Sequence, residues 1–265
     1  MAAVLALGPP LRTTVLRSAT VKRYESDQLT HFVGRGKSSD KERFDLLVKI
    51  LSEGELRGSG KNVVSPNAKI SKREMFDPNI VCFCDIPLSG LTIHTEKYGS
   101  FGLAFQKAHL VNKGATPVFY VALGSRVRDV ETGTWITRGD YLDKMAVRAL
   151  DLLDSDTRKE KQEIHPLNAA INGERIEGPI LTARQDAPHV SVHHFMVAEI
   201  LPFIVPFDER LPIHHKDNYY MEREWRIGGP LRFVASDLAQ ILLPKRFHPE
   251  LEKRLPNYGV PLASV

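Results

Sequence analysis

Apolar residues recur along the chain at spacings that predict alternating strands and helices. Leu29–Val33 and Ile80–Cys84 are short, mainly apolar runs bounded by turn residues, which is typical of strands. Between them, apolar residues repeat every three or four positions in Glu42–Ser52, so this segment predicts an amphipathic helix that ends at Gly54. The polar, glycine-containing segment 57–79 predicts a long loop before the second strand.

The rest of the chain continues with the same two kinds of element. The predicted elements are a helix or turn at Leu88–Lys97, strands at Tyr98–Phe105, at Pro117–Leu123, within Val192–Phe207 and at Ile241–Leu243, and helices at 140–163 and His248–Arg254. Ser236 or Asp237 is expected to cap a further helix. The pattern predicts an α+β fold, with a mixed, mostly antiparallel sheet, open or split, covered by helices 42–52 and 140–160.

One segment, Asn218–Arg226, alternates charged residues with aromatic or apolar ones and predicts a strand that ends at a Gly-Gly-Pro turn. Glu222, Glu224 and Arg226 would then share one face, with the ring of Trp225 buried on the other. Beside a guanidinium, one of two carboxylates can be positioned as a general base or as the acceptor for a hydroxyl group. These three residues are therefore the catalytic candidates. The alternative is a solvated edge strand with an Arg–Glu pair.

Composition is that of a globular protein: 42% of the 265 residues are hydrophobic and 26% are charged. No apolar run approaches the roughly 18 residues of a membrane span. The net charge is +4, and residues 1–24 hold four cations and no acid, so the remainder sums to zero (4 − 4 = 0). Bulk charge therefore gives no support for nucleic-acid binding and leaves room only for a local patch.

The first 20 residues are small, rich in Ser, Thr and Arg, and free of acids, a composition also found in transit peptides and weak secretion signals. A secretion signal is disfavoured because the apolar run is short and the arginines follow it. We expect a disordered extension over residues 1–21, then a single α+β domain over 22–265 with an irregular insertion near 165–190.

Several common sites have no signature in the sequence. Cys82 and Cys84 are too close on an extended segment to bridge, so we expect free, buried thiols in a reducing compartment. The adjacent histidine pairs at 193–194 and 214–215 would point to opposite strand faces, and without HExxH or CxxC no metal site is expected. The patterns GxxxxGK[ST], GxGxxG and GxSxG are also missing.

A candidate site remains at the ends of the predicted strands. It combines His31 on the first strand, Asp85 after the second, Tyr98 in the glycine-containing segment, and the carboxylates Glu222 and Glu224. These side chains would converge if the sheet is open or split. For His31 alone, the competing interpretation is an ordinary core histidine.

Several segments, taken in order, resemble the AbiGi family of bacterial abortive-infection proteins. The segments are Leu29–Arg35 (LTHFVGR), Cys82–Pro87 (CFCDIP), His94, Tyr98–Phe105 (YGSFGLAF), Pro117–Val121 (PVFYV), Asn218–Arg226 (NYYMEREWR) and Ile241–Phe247 (ILLPKRF). The resemblance covers roughly residues 22–260. It implies a cytoplasmic antitoxin in phage resistance, a regulatory component that binds a nucleotidyltransferase-like toxin or a phage factor; it implies no catalytic role.

A weaker resemblance is to ADP-ribosyltransferases, which place a His or Arg on an early strand for the NAD ribose and a catalytic Glu on a late strand. His31 matches the first feature, and Glu222-Arg223-Glu224 is similar to their Glu-x-Glu. Their middle motif, a Tyr or Ser-Thr-Ser on a central strand, has only Tyr98 as a loose counterpart. This resemblance implies NAD bound by His31, Arg35, Asp85 and Tyr98, with Glu222, Glu224 and Arg226 as the catalytic group.

The two interpretations predict different surroundings for the carboxylates. A partner-binding module predicts that Glu222, Glu224 and Arg226 form a closed ionic network with no adjacent cavity, and no cofactor. An NAD-dependent transferase predicts one cleft that contains His31 and Glu224, with Tyr98 close enough to stack on nicotinamide. A cleft without His31, or Glu224 turned into the core beside Arg226, would exclude the transferase.

Overall fold

A computed structural model of the protein describes residues 26–58, 60–61, 63–65, 69–148, 199–212, 215 and 218–264. The extension expected at residues 1–21 and the insertion expected near 165–190 lie outside these residues. So do most of the helix predicted at 140–163 and the first part of the segment predicted at 192–207.

The described chain forms fifteen short strands, five α-helices and several single turns of 3-10 helix. The strands are β1 (Gln28–Phe32), β2 (Glu55–Leu56), β3 (Val63–Val64), β4 (Phe76–Asp77), β5 (Ile80–Cys84), β6 (Gly102–Gln106), β7 (Thr116–Pro117), β8 (Phe119–Ala122), β9 (Arg126–Arg128), β10 (Trp135–Thr137), β11 (Ile204–Phe207), β12 (Glu224–Gly228), β13 (Leu231–Arg232), β14 (Leu238–Leu242) and β15 (Leu262–Ala263). The α-helices are α1 (Asp40–Glu53), α2 (Thr92–Tyr98), α3 (Lys107–Asn112), α4 (138–148) and α5 (His248–Arg254). The 3-10 turns lie at Ile70–Lys72, Leu88–Gly90, Leu201–Phe203, Tyr219–Glu222, Ala235–Asp237 and Lys245–Phe247.

Seven strands form the main sheet in the order β15-β14-β6-β1-β5-β12-β7. All neighbours in this sheet are antiparallel except β14 and β15, which are parallel. Smaller two-stranded pairs join β2 to β13, β3 to β4, β9 to β10 and, in parallel, β8 to β11. The α+β class with a mixed, mostly antiparallel sheet is therefore confirmed.

The core lies between one face of this sheet and α1. Alternate strand residues Leu29, Phe83, Leu103, Phe105 and Ile227 form one buried cluster with Phe44, Leu47, Val48 and Leu51 of the helix. The helix begins at a capping box between Ser39 and Glu42 and ends at Gly54 in the left-handed conformation, so the stop predicted at Gly54 is confirmed. Burial of this apolar stripe fixes the helix on the sheet.

Several predicted elements are confirmed to within one or two residues. They are the first strand (β1), the first helix (α1), the strand Ile80–Cys84 (β5) and the last helix (α5). The strand predicted at Ile241–Leu243 is β14, which begins earlier, at Leu238. No helix within the described ranges has the length and apolar content needed to span a bilayer.

Other predictions are wrong in detail. Tyr98 is the last residue of α2, not the first of a strand, because Gly99 takes φ +88° and ends the helix before β6. The buried strand predicted at Pro117–Leu123 is divided between β7 and β8, and 54% of Phe119 is exposed. The predicted loop 57–79 contains the β3–β4 pair and a 3-10 turn.

Two predicted helices also differ from the structure. The helix expected after Ser236 or Asp237 is a single 3-10 turn, in which the Asp237 carboxylate accepts a hydrogen bond from the N–H of Val234 at 2.9 Å. The described part of α4 does not contribute to the core of the sheet. It is bound through Asp143 to Ser71 and through Lys144 to Asp129, beside the β9–β10 hairpin.

Candidate functional site

The main sheet opens between β1 and β5. These two strands share a single pair of opposite residues, Thr30 and Cys84, whereas β1 pairs with β6 over five residues and β5 with β12 over five. Beyond Thr30, β1 stays with β6, and the Val33 N–H donates to the carbonyl oxygen of Phe101 at 2.8 Å. The strands β1 and β5 therefore separate and leave a gap within the sheet.

His31 lies in this gap. Its Nδ1 atom is 2.8 Å from the carbonyl oxygen of Cys82, so Nδ1 carries the hydrogen and donates it to that oxygen. Because β1 and β5 are separated here, this carbonyl has no backbone partner on β1. The ring also makes an edge contact with Phe83, at 5.9 Å between centroids. Burial lowers the pKa of His31, although the bond to Cys82 acts in the opposite direction, so the neutral ring is favoured.

A cleft of about 550 Å³ occupies the gap and is lined from both sides of the sheet. On the α1 side it meets Leu46, Lys49, Ile50, Glu53 and Arg57. On the other side it meets Arg73, His94, Tyr98, Tyr219, Glu222, Glu224 and Arg226. Clefts of this size with a few convergent polar groups are the usual sites of small-molecule binding.

Glu224 and Arg226 form a buried ion pair at the wall of the cleft. The guanidinium donates from Nε to Oε1 of Glu224 at 2.8 Å and from Nη2 to Oε2 at 3.1 Å, and Nη1 donates to the carbonyl oxygen of Pro202. Only 6% of Glu224 and 8% of Arg226 is exposed. The predicted Arg–Glu pair is present, but it is buried, whereas the edge-strand interpretation expects it in solvent.

The strand predicted at Asn218–Arg226 is wrong in its first half. Tyr219–Glu222 is a 3-10 turn, Arg223 takes the left-handed conformation at φ 45°, and β12 begins only at Glu224. The alternation of charged and apolar residues hid this turn, because a positive φ at a residue other than glycine has no sequence signal. The predicted orientation of Trp225 is confirmed, since it packs against the core cluster on the opposite face.

Glu222 is held apart from the Glu224–Arg226 pair. Its Oε1 accepts hydrogen bonds from the hydroxyl of Tyr98 and from Nζ of Lys97, the latter at 2.5 Å. Burial and the charge of Glu222 raise the pKa of Tyr98, so the phenol stays protonated and donates. The closed network of Glu222, Glu224 and Arg226 that a partner-binding module predicts is therefore wrong, and a cleft adjoins all three residues.

Aromatic rings form one wall of the cleft. Phe32 stacks on His94 with 6.3 Å between centroids and on Tyr98 with 5.7 Å. The guanidinium of Arg35 lies 5.5 Å from the centroid of Tyr98. A flat shelf with a cation at its edge is suited to a planar ligand that carries negative charge elsewhere.

The structure brings most of the predicted site residues together but leaves Asp85 apart. His31, Arg35, Tyr98 and the group Glu222, Glu224 and Arg226 line the cleft. Asp85 is instead bound by Lys107 at 2.8 Å, by the Ser26 N–H at 3.0 Å and by Arg223 at 3.6 Å, and it does not line the cleft.

The cysteines occupy the floor of the cleft between β1 and β12. Cys84 lies opposite both Thr30 and Glu224, and Cys82 lies opposite Arg226, so all five side chains share a face. Both thiols are free, as predicted. Burial raises the pKa of Cys84 to about 12 and also raises that of Cys82, so neither is a thiolate nucleophile at neutral pH.

Two residues at or beside the cleft, Arg73 and Tyr120, were missed from the sequence. The Arg73 guanidinium lies 3.8 Å from the ring centroid of Tyr219, and the Tyr120 hydroxyl accepts the N–H of Glu224 at 2.7 Å. Arg73 follows a polar segment and is another left-handed residue, at φ 59°, so nothing in the sequence distinguished it. Within the described ranges, no three His, Cys, Asp or Glu side chains are grouped as metal ligands.

The structure bears on both structural conditions of the transferase interpretation. His31, Tyr98 and Glu224 line the same cleft, which that interpretation requires. Glu224 is also buried beside Arg226, but it lines the cleft on the sheet face away from the core cluster, so it is not turned into the core. Each carboxylate oxygen still has a second lone pair, so one bond to Arg226 does not exhaust its capacity to accept.

Comparison with known proteins gives a family. Residues 57–248, more than half of the chain, match the model of AbiGi, a family of proposed abortive phage resistance proteins described as antitoxins. The match is shorter than the expected 22–260 and does not include His31. No curated protein and no solved structure matches the chain. The matched range includes β5, α2, β12 and the carboxylates of Glu222 and Glu224, and the chain belongs to the AbiGi family of abortive phage resistance proteins.

Proposed function

We propose that this chain serves phage resistance as an NAD-dependent transferase that moves ADP-ribose to an acceptor in the bacterial cytoplasm. The observation that supports it is the convergence of His31, Tyr98 and Glu224 on one cleft at the opening of the sheet. The AbiGi family supports the phage-resistance part of the proposal.

The cleft suits a dinucleotide in size and in charge. Its volume of about 550 Å³ lies within the usual range for sites that hold ligands of this class. The cleft lining includes Arg35 and Arg73, for which no ion pair with a carboxylate is found within the described part of the chain. Two such guanidiniums are suited to a diphosphate.

The proposed roles follow from the contacts of each residue. The neutral His31, with Nδ1 committed to Cys82, offers Nε2 as an acceptor for a ribose hydroxyl. Glu224, held in place by Arg226, accepts a second ribose hydroxyl and stabilises the positive charge that develops at the ribose.

The transfer exchanges one bond at the ribose for another. The bond between the ribose carbon and the nicotinamide nitrogen breaks, and its electron pair leaves with neutral nicotinamide. A lone pair of the acceptor forms the new bond to the same carbon, and the acceptor's proton passes to Glu222, which orients it. Glu222 is placed for this role by Tyr98 and Lys97.

The test is calorimetric titration with NAD together with an assay for nicotinamide release. We expect saturable binding that is weakened by His31→Ala, and turnover that is abolished by Glu224→Ala. Glu224→Gln is the matched variant, because it keeps the shape of the side chain and leaves Arg226 with an acceptor. Glu252→Gln, on the exposed side of α5, is the control and should change neither quantity.

A second candidate function is the regulatory, partner-binding role that the word antitoxin implies, with a toxin or a phage factor as partner. Besides the family description, an exposed apolar surface near the β9–β10 hairpin supports it: 81% of Val130 and 60% of Trp135 is exposed. Absence of NAD binding at millimolar concentration, together with a complex that co-elutes with a toxin from a neighbouring gene and is lost in Trp135→Asp, would favour this role.

A further inference from the structure

His94 is a buried polar side chain at the cleft that the proposed reaction does not use. It is the third residue of α2, only 5% of it is exposed, and it lines the cleft. Its Nδ1 atom is buried and has no hydrogen-bond partner among the residues described. Buried polar atoms in folded proteins are nearly always bonded, so this nitrogen is available to bond a ligand in the cleft.

The surroundings of His94 define what that contact can be. Its ring is nearly parallel to Phe32, with an interplanar angle of 15°, and Tyr98 stacks on the same phenylalanine. The charges that act on the ring are those of Glu222 and Lys97, which are bound to each other. Burial, the largest influence, lowers the pKa of His94, so at neutral pH the ring has one donor and one acceptor nitrogen.

We propose that His94 selects a ligand whose planar ring carries a neutral carboxamide over the same ligand carrying a carboxylate. A carboxamide has both N–H donors and an acceptor oxygen, so it satisfies either tautomer of the imidazole. A carboxylate only accepts, and it would place a second negative charge close to Glu222. The inference rests on the proposed NAD site and names the group that is recognised at one end of it.

The experiment compares the affinities of NAD and nicotinic acid adenine dinucleotide by calorimetry. Wild-type protein should bind the amide about tenfold more tightly than the acid, which is the effect of one buried hydrogen bond. His94→Phe keeps a stacking ring and removes both nitrogens, so the preference should fall below about twofold. His94→Gln restores a donor and an acceptor and should recover part of it.

Two controls separate recognition from folding. His248→Phe, on α5 outside the cleft, should retain the full preference. ADP-ribose, which lacks the pyridine ring, should bind wild type and His94→Phe equally, and this result also shows that the variant keeps its site.

The binding measurements distinguish a wrong role for His94 from a wrong NAD site. Equal binding of the amide and the acid by wild type, or an unchanged preference in His94→Phe, would overturn the role of His94 and leave the NAD site standing. Absence of NAD and ADP-ribose binding by wild type would overturn both.

Discussion

The Nδ1 atom of His31 lies 2.8 Å from the carbonyl oxygen of Cys82, across the opening between β1 and β5. In the neighbouring pairs of the sheet, backbone N–H groups bind such carbonyls, whereas here an imidazole does so. The same side chain therefore closes part of the sheet and forms part of the cleft.

Replacing His31 by Phe should destabilise the protein by about 1–2 kcal/mol, because the part-buried Cys82 carbonyl loses its donor while an aromatic ring is kept. Urea unfolding followed by circular dichroism measures this change. His248→Phe, at the surface of α5, is the matched control and should change stability little. An unchanged midpoint in His31→Phe would show that the bond contributes nothing.

Stability should fall as the pH is lowered from about 7 to about 5. Burial lowers the pKa of both His31 and His94 in the folded protein, whereas in the unfolded chain each titrates near 6.5. Below that value the unfolded chain binds more protons than the folded protein, so acid favours unfolding. The double variant His31→Phe/His94→Phe should show a shallower dependence of unfolding free energy on pH, and an unchanged slope would contradict the assignment.

Breaking the buried Glu224–Arg226 pair should be far more costly than breaking an exposed one. Arg226→Met leaves the Glu224 carboxylate buried without its partner, and we expect a loss of about 3–5 kcal/mol in the free energy of unfolding. Arg232→Ala removes the exposed partner of Glu55 and should cost no more than about 1 kcal/mol. Chemical unfolding of both variants in parallel measures the difference; equal losses would mean that burial does not strengthen the pair.

Two glycines beside the cleft leave room for the side chain of Arg43. A methyl group at Gly34 would lie 2.6 Å from Cγ of Arg43, and one at Gly99 would lie 3.1 Å from its Nε; both glycines have φ +88°. We expect Gly34→Ala to be destabilised by both the clash and the positive φ, by roughly 2 kcal/mol or more.

Gly36→Ala is the matched control, because Gly36 also has a positive φ but has no atom within 4 Å of the added methyl group. It should lose only the smaller backbone contribution. Adding Arg43→Ala to Gly34→Ala should recover part of the loss. If the two changes in unfolding free energy, measured in urea, were strictly additive, the clash between the added methyl group and Arg43 would be excluded.

Much of the fold could be predicted because it depends on local signals. The stripe on α1, with Ser39 before it and Gly54 after it, reflects the period of a helix and its caps, and both are visible in the sequence. The mostly antiparallel sheet could be predicted because its strands are short and the successive side chains of each strand point to opposite faces. By contrast, the break after Tyr98 and the turn before Glu224 depend on single residues with positive φ, one of them an arginine.

Most residues of the candidate site could be predicted from the sequence, but the geometry that brings them together could not. His31, Arg35, Tyr98 and the two carboxylates line the cleft although the strand predicted for Glu222 is wrong. Asp85 was expected beside them because it follows β5, but Lys107 and Arg223 bind it elsewhere. Arg73 and His94 were missed as site residues because burial beside a cleft is a tertiary property that no short pattern encodes.

The single residue pair between β1 and β5 has a mechanical consequence. On one side of it the strands β15, β14, β6 and β1 form one half of the sheet, and on the other side β5, β12 and β7 form the second. Across this line the two strands pair only at Thr30 and Cys84, and the other bonds between the halves run through the side chains of His31 and Asp85, so we expect the sheet to bend most easily here. We expect a few degrees of rotation about this line to change the width of the cleft while the strand pairing within each half is kept.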